Sequence, residues 1–251
     1  MRALTLIPLA DLGEIGPGED LAGLLSTALA SLSPGLQPHD VLVVTQKVVS
    51  KAENRYVDLN DVRVSPHAVE LAALTGKDPR LVELVLSEST EVVRAKADVL
   101  IVRHRLGFIM ANAGIDRSNV PGLDRVLLLP SDPDGSAAAL RNAIASHCGA
   151  EIGVVISDSF GRPWREGVTN VALGAAGVPA LINRRGELDR NGRKLEVTEV
   201  AFADLLASAA ALLMGEGAES CPAVVVRGLS WEAPDVRAGV LIRPLEKDLF
   251  R

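Results

Sequence analysis

Apolar and polar positions divide the sequence into short strands of the buried type and longer amphipathic helices. Short continuous apolar runs, rich in β-branched side chains, predict strands that are covered on both faces. Such runs occupy residues 40–44, 99–102, 106–110, 125–129, 153–156 and 223–227. Apolar residues at helical spacing predict helices over residues 21–32, 66–75, 79–89, about 135–147 and about 199–214.

Residues at the ends of these segments support the assignment. Asp20 is placed to cap the first helix, and a proline opens each of the next two, at Pro66 and Pro79, where a missing N–H group costs nothing. The dipeptide Asn191-Gly192 predicts a hairpin turn. Because no long linker separates the segments, two lobes, if the chain has them, must be interleaved in the sequence.

Two acidic segments, 111–119 and 156–167, stand out because each directly follows an apolar run. Each is expected to deliver an aspartate, Asp116 or Asp158, in a loop just past the end of a strand. Carboxylate oxygens beside hydroxyl or amide oxygens suit a hard cation such as Mg²⁺ or Mn²⁺, and two converging carboxylates repel unless a cation lies between them. The alternative is that each aspartate only forms a turn or caps a helix.

Cationic side chains lie near both features. Lys47 and Lys51 follow the strand at 40–44 with a spacing of four, so a helix or a loop there could present both ammonium groups to phosphate oxygens. An exposed lysine pair is the alternative. Arg162 and Arg165 can clamp a carboxylate or stabilise a transferring phosphoryl group, or they can form only internal salt bridges.

Two glycine-bearing bends are further candidates for binding a phosphate or a base through backbone N–H groups. One contains Gly13 and Glu14, and the other spans residues 215–220. Gly215 is equally well placed as the glycine that ends the preceding helix.

The composition narrows the class of protein. Of the 251 residues, 48% are hydrophobic and 23% are charged, which is enough for a substantial core. A net charge of −6 argues against a general binder of nucleic acid or of membrane surfaces, because both need excess positive charge. Acidic side chains such as Asp11 and Glu14 interrupt the N-terminal segment, and no apolar run reaches the ~20 residues of a membrane span. Cys148 and Cys221 have no metal-binding spacing and fit a reducing compartment. We expect a soluble cytoplasmic protein.

Common motifs of other enzyme classes are missing from the sequence. It contains no P-loop, no glycine fingerprint for dinucleotides, and no zinc-protease or serine-hydrolase signature. The histidines, His39, His67, His104 and His147, are scattered and are expected to be surface or core residues.

Both acidic segments, together with residues 17–21, 41–53, 129–136, 195–198 and 222–228, resemble the coenzyme F420:γ-glutamyl ligase family. Members of that family add glutamate to a deazaflavin cofactor. The matching stretches run almost end to end, and the combination of the two acidic segments is the specific part. The resemblance implies a mixed α+β fold, with sheets flanked by helices and unlike the P-loop fold, formed by residues 1–251 as one ligase domain.

The resemblance also implies ligands and roles for individual residues. It implies GTP as co-substrate, two Mg²⁺ or Mn²⁺ ions, K⁺ and a homodimer. Asp116, Asp158 and Ser159 would hold the metals, with Glu216 as a further candidate. The nucleotide would be surrounded by Leu12, Gly13, Glu14, Ile15, Gln46, Lys47, Lys51, Asn119, Met214, Gly215, Glu216, Gly217, Ala218, Glu219, Ser220 and Cys221.

Some positions depart from the family pattern. Asn54 stands where a glycine is common, Asn170 stands where an aspartate is frequent, and the pair Gln46-Lys47 differs from the Ser-Thr of some archaeal members. Actinobacterial relatives carry an additional flavin-binding domain, which is not expected here because the sequence ends at Arg251.

The expected reaction transfers the γ-phosphoryl group of GTP to a carboxylate of the deazaflavin precursor, and the α-amine of L-glutamate then attacks the acyl phosphate. Lys47 or Lys51 would neutralise charge on the transferring group, and Arg162 or Arg165 would hold the carboxylates of glutamate. The alternatives are a metal-dependent phosphohydrolase acting on a nucleotide or sugar phosphate, and a non-catalytic nucleotide sensor.

Overall fold

The fold was analysed in a computed structural model, which describes residues 3–10 and 12–248. Asp11 and Arg251, which entered the sequence argument, lie outside these residues. The strands are β1 Thr5–Leu9, β2 Val41–Thr45, β3 Tyr56–Asp58, β4 Ser89–Lys96, β5 Val99–His104, β6 Ile109–Ala111, β7 Arg125–Leu127, β8 Gly153–Arg162, β9 Arg165–Ala176, β10 Leu181–Asn183, β11 Glu199–Ala201 and β12 Ala223–Arg227. The helices are α1 Leu21–Ala30, α2 Gln46–Ala52, α3 Pro66–Thr75, α4 Pro79–Ser87, α5 Pro133–Cys148 and α6 Phe202–Met214.

A five-stranded mixed sheet, in the order β1-β12-β2-β8-β9, forms the centre of the larger part of the molecule. Strands β2 and β8 are parallel, and the other neighbours are antiparallel. Alternate side chains of β2 point to opposite faces. Leu42 and Val44 pack in the core beneath α1 and α5, whereas Val41 and Val43 pack in the core beneath α6. Because both faces are buried, the strand reads as a continuous apolar run.

A three-stranded antiparallel sheet, β4-β5-β6, forms the smaller part together with α3 and α4. Leu100 and Val102 of β5 are buried against Ala72 of α3 and Val85 of α4. A two-stranded sheet, β3-β7, lies in the connection between the two parts of the chain. The mixture of sheets with flanking helices confirms the predicted α+β class.

Most predicted elements are present. The carboxylate of Asp20 accepts the N–H of Gly23 at 2.9 Å and caps α1, and prolines open α3 and α4. The turn at Asn191-Gly192 is closed by the N–H of Asp189, which donates to the carbonyl of Arg193 at 2.8 Å. Within the described residues, no helix is both long enough and apolar enough to cross a bilayer.

Several boundaries predicted from the sequence were wrong, and six strands, β1, β3, β4, β9, β10 and β11, were not predicted. The last helix begins at Phe202 and not at Glu199, because residues 199–201 pair with β10 as a strand. The strand predicted over 106–110 begins at Ile109, and the helix predicted over 79–89 ends at Ser87. Strand β1 contains a proline, which an edge strand tolerates, and β4 carries polar residues and a bulge. Neither has an unbroken apolar pattern.

Candidate functional site

A cavity of about 1410 Å³ lies where the five-stranded sheet, α2, α6 and the three-stranded sheet approach one another. Most of the residues singled out from the sequence line it. They are Leu12, Gly13, Glu14, Ile15, Gln46, Lys47, Lys51, Asp116, Asn119, Asp158, Ser159, Arg162, Met214, Gly215, Glu216, Gly217, Ser220 and Cys221. The cavity lining does not include Arg165, Ala218 or Glu219. Segments far apart in the sequence therefore meet in one place.

The two lysines lie on one face of α2, which begins directly after β2. Lys47 reaches across to the first acidic segment, where its Nζ lies 2.5 Å from Asp116 Oδ2 and 2.6 Å from Ser118 Oγ. The Oδ1 atom of Asp116 accepts the N–H of Ser118 at 2.7 Å. Lys51, one turn later, is buried and also lines the cavity. The alternative that both lysines are exposed was wrong, because Lys51 is buried.

Asp158 lies within a strand, which corrects the prediction of a loop. Strand β8 continues to Arg162, and its outer half pairs with β9, with Asp158 opposite Val171. The sequence suggested an end at Ile156 because polar residues start there. The physical reason for the difference is that β8 leaves the core at this point but keeps its hydrogen-bonded partner.

The electrostatic environment of Asp158 disfavours its charge. Burial raises the pKa of Asp158 to about 7, and the nearby carboxylates of Asp116 and Glu216 raise it further. The N–H of Ser159, which donates to Asp158 at 2.9 Å, and the ammonium of Lys47 act in the opposite direction without cancelling the effect. The positive charge of Lys47 is therefore too small an effect to offset the burial of Asp158 and its neighbouring carboxylates.

Glu216 is held by a residue that the sequence argument did not place in the site. Asn170 of β9 is buried, and its Nδ2 donates to Glu216 Oε1 at 2.9 Å. The backbone of Asn170 is held in turn by Ser208 of α6, whose Oγ donates to the carbonyl of Asn170 at 2.8 Å. This contact fixes one carboxylate oxygen of Glu216, whereas Oε2 makes no hydrogen bond to the residues that the structure describes.

The donor set fits a hard divalent cation. Asp116, Asp158 and Glu216 supply carboxylate oxygens, and the buried Oγ of Ser157, which also lines the cavity, makes no hydrogen bond to the described residues. Over residues 3–10 and 12–248, no cluster of three or more His, Cys, Asp or Glu side chains is already in a metal-binding arrangement. A bound ion would therefore take part of its coordination from hydroxyl, water or phosphate oxygens, as Mg²⁺ commonly does.

The two glycine bends differ in what they offer a ligand. Gly13 has φ of 75° and lies in an open bend at the cavity. Gly215 ends α6, with its N–H donated to Ala211, which confirms the reading of a helix-ending glycine. The N–H of Gly217 is already occupied by Glu219 Oε2 at 2.8 Å. Glu219 thus folds inside its own bend and does not face the cavity.

The two arginines lie at the tip of the β8–β9 hairpin. Arg162 and Arg165 are paired across the turn and both are exposed, but only Arg162 lines the cavity. The Nη2 atom of Arg162 donates to the carbonyl of Glu166 at 3.3 Å, so most of its donors remain available.

Several lining residues were missed by the sequence argument, namely Ser157, Asn170, Lys96 and Phe160. Phe160 follows Asp158 at the strand period of two, so recognising a longer strand would have found Phe160. Ser157 directly precedes Asp158 in the same strand. In the sequence, Asn170 stands out only as a departure from the family pattern, and Lys96 carries no signal, because the contacts of both depend on distant segments.

Comparison with known proteins adds independent information. The model of the family described as F420-0:Gamma-glutamyl ligase matches residues 10–228. A protein named coenzyme F420:L-glutamate ligase from Methanothermobacter thermautotrophicus is 44% identical over 251 residues, covering 99% of each chain. Its namesake from Methanopyrus kandleri is 46% identical over 243 residues, covering 95% of this chain and 94% of the other. The namesake from Haloarcula marismortui is 42% identical over 244 residues, covering 95% and 92%. The chain therefore belongs to the F420-0:gamma-glutamyl ligase family.

Proposed function

We propose that the protein is a GTP-dependent amide ligase that joins L-glutamate to the terminal carboxylate of a des-glutamyl deazaflavin precursor of coenzyme F420. The observation that carries the proposal is the convergence of Asp116, Asp158, Glu216 and Lys47 on one cavity in a member of this family. Relatives that match over nearly their whole length bear the name of such a ligase. We expect the reaction to take place in the cytoplasm, where GTP and L-glutamate are available.

Amide formation needs an activated acyl group, because at neutral pH an unmodified carboxylate has no good leaving group when an amine attacks it. In the first step, an oxygen of the precursor carboxylate attacks the γ-phosphorus of GTP, the bond to the bridging oxygen breaks, and GDP leaves. In the second step, the α-amine of glutamate attacks the acyl carbon, the C–O bond breaks, and the departing phosphate takes up the proton that the amine loses. The products are an amide, GDP and phosphate.

The cavity residues have separate roles in this scheme. Lys47 and Lys51 place positive charge beside the transferring phosphoryl group. Asp116, Asp158 and Ser159, with Glu216, are the groups that would hold Mg²⁺ or Mn²⁺, and such ions neutralise phosphate oxygens and polarise the phosphoryl group. The role of Arg162 is to bind the carboxylates of the incoming glutamate.

The nucleotide occupies the end of the cavity formed by residues 12–15, Gln46, Asn119, residues 214–217, Ser220 and Cys221. The N–H groups near Gly13 lie at an open bend there, which suits a phosphate or a base edge. K⁺ as an additional activator and a homodimeric assembly complete the proposal. A second cycle would use the γ-carboxylate of the glutamate just added, so that one site could extend a γ-linked tail.

Mass spectrometry of the reaction products tests the proposed function. The purified protein is incubated with the des-glutamyl precursor, L-glutamate, GTP and Mn²⁺, and separate reactions omit one component or replace GTP by ATP. The expected result is addition of one or more glutamyl units, with GDP release that depends on both the precursor and glutamate. Release of GDP without glutamyl addition would identify a phosphohydrolase instead.

A further inference from the structure

The three-stranded sheet presents an apolar face to the cavity. Along β5, side chains alternate, so that Leu100 and Val102 are buried in the core beneath α3 and α4 while Val99 and Ile101 line the cavity. On β6, Ile109 and Ala111 line the same cavity. The register places Ile101 opposite Ala111, so these side chains form one patch, which we call the apolar wall.

The apolar wall borders Lys96, which has no ion-pair partner among residues 3–10 and 12–248. Lys96 lies opposite Val99 at the end of β4, is exposed, and lines the cavity. In the part of the chain that the structure describes, no carboxylate lies within ion-pair distance of its ammonium group. A cation next to an exposed apolar surface suits a ligand that combines a flat apolar group with an anionic one.

An aromatic side chain connects the apolar wall to the carboxylate site. Phe160 follows Asp158 by two positions on β8, so both side chains lie on the same side of the strand. The ring of Phe160 packs edge-on against Phe108, with 6.0 Å between centroids, and also lines the cavity. Phe160 therefore lies between the metal-binding carboxylates and the three-stranded sheet.

The size of the cavity leaves space for this second region. Its volume of about 1410 Å³ exceeds the ~300–1,000 Å³ that is usual for one small-molecule site. The elements expected to surround the nucleotide, residues 12–15 and 214–221, come from the N-terminal segment and the end of α6. The apolar wall comes from different elements and is not needed for the nucleotide.

We propose that the apolar wall and Phe160 bind the planar aromatic ring of the substrate whose carboxylate is activated, and that Lys96 binds an anionic group on the same substrate. This inference rests on the proposed function, which requires a ring-bearing carboxylate beside Asp158. With the ring on the apolar wall, the chain that joins it to the carboxylate passes Phe160 and reaches the phosphoryl-transfer site. The parts of the cavity away from the apolar wall are then left for glutamate and the nucleotide.

Two matched substitutions on the three-stranded sheet test the inference. Ile109 and Val93 have similar exposed fractions, 41% and 39%, but only Ile109 lines the cavity. We expect Ile109→Asp to raise the KM for the deazaflavin precursor at least about tenfold, because a charge then faces the ring. The KM for GTP should stay within about twofold, and Val93→Asp should leave both constants within that range.

Binding of the precursor alone, followed through the fluorescence of its ring, separates this inference from the proposed function. It is measured on the Mn²⁺-loaded protein without GTP or glutamate. If the wild type forms glutamyl product but Ile109→Asp binds the ring normally, the ring site is wrong and the ligase stands. If the wild type forms no product, the ligase proposal fails, and loss of binding in Ile109→Asp still supports a ring site.

A second variant keeps the test decisive if Ile109→Asp does not fold. Lys96→Ala changes an exposed side chain, and it should weaken binding of the acidic precursor about tenfold but not binding of the neutral ring compound without its acidic tail. Equal weakening of both compounds, or of neither, would overturn the role given to Lys96. An increase in the KM for GTP equal to that for the precursor would overturn the separation of the two regions.

Discussion

Glu88 and Asp158 are both partly buried carboxylates, but their surroundings are opposite. Glu88 Oε2 lies 3.5 Å from His104 Nε2, 3.1 Å from Arg105 Nε and 3.4 Å from Arg55 Nη2. The interaction with His104, followed by the two arginines, holds the pKa of Glu88 down at about 2 despite its burial. Because His104 Nδ1 accepts the N–H of Leu106, Nε2 carries the proton that faces Glu88.

The charged neighbours of Asp158 include two carboxylates, whereas those of Glu88 include two arginines. The pKa of Asp158 is raised to about 7 by burial, with Asp116 and Glu216 adding to the effect. The chain thus neutralises a structural carboxylate with its own side chains but leaves the one in the cavity uncompensated. This difference between a carboxylate paired with cations and one left among other carboxylates is what the proposed metal site requires of Asp158.

The largest expected effect comes from neutralising the carboxylates of the site. Asp116→Asn and Asp158→Asn should each abolish glutamyl transfer, because an amide is a poor ligand for a hard dication. Turnover is measured by mass spectrometry, and Asp61→Asn, an exposed residue outside the cavity, is the control. If the variants unfold, both aspartates are needed for the stability of the fold, and the loss of activity says nothing of metal binding.

Asp158→Asn should also stabilise the metal-free protein at neutral pH, in contrast to substitution of Glu88. A raised pKa means that folding is favoured when Asp158 is protonated, and this contribution is lost as pH rises from about 4 through about 7. Asparagine does not titrate, so the advantage of the variant should be larger at pH 8 than at pH 5. Thermal unfolding in chelator at both pH values measures this. An equal effect at both would contradict the pKa of Asp158.

Glu88→Gln should destabilise the protein by roughly 3 kcal/mol at pH 7, because it leaves nearby cations without their partner. The pKa of Glu88 is lowered from 4.5 to about 2, so its contribution is present above 4.5 and is lost as pH falls through about 2. The difference from wild type in urea unfolding should therefore shrink between pH 5 and pH 2.5. A constant difference would show that packing, and not charge, explains the loss.

A smaller effect is expected at the residue that holds Glu216. Asn170→Ala should raise the Mn²⁺ concentration needed for half-maximal activity by about 10–100-fold, as is typical when a residue that orients a metal ligand is removed. The increase in melting temperature caused by Mn²⁺ should fall in parallel. Asn142→Ala on the exposed side of α5 is the control. Unchanged metal dependence would remove Asn170 from the site.

The smallest predicted effect separates the two hairpin arginines. Arg162→Ala should raise the KM for L-glutamate about tenfold, because Arg162 lines the cavity and carboxylate pairing with arginine is strong. Arg165→Ala should change it by no more than about twofold, as for other surface residues. A larger effect of Arg165→Ala than of Arg162→Ala on the KM for L-glutamate would contradict the role given to Arg162.

Prediction from the sequence was most successful where a local pattern of residue types determines the structure. The β-branched run before Thr45 predicted β2. Asp116, Asp158 and Lys47 were singled out because each follows an apolar run in the sequence, and all three line the cavity. The hydrogen bond between Asn170 and Glu216 was not predictable, since it joins positions 46 apart through the packing of α6 on β9. Strand β4 was missed because its polar and apolar residues follow no regular period across the bulge.

The strand order of the larger sheet has a consequence for how the protein is made. The last strand, β12, lies between β1 and β2, and its Arg227 pairs with Asp40 at 2.7 Å before the start of β2. Synthesis delivers the chain from its N-terminus, so β1 waits unpaired until almost the whole polypeptide has left the ribosome. An interrupted chain that lacks β12 cannot close the sheet beside the cavity.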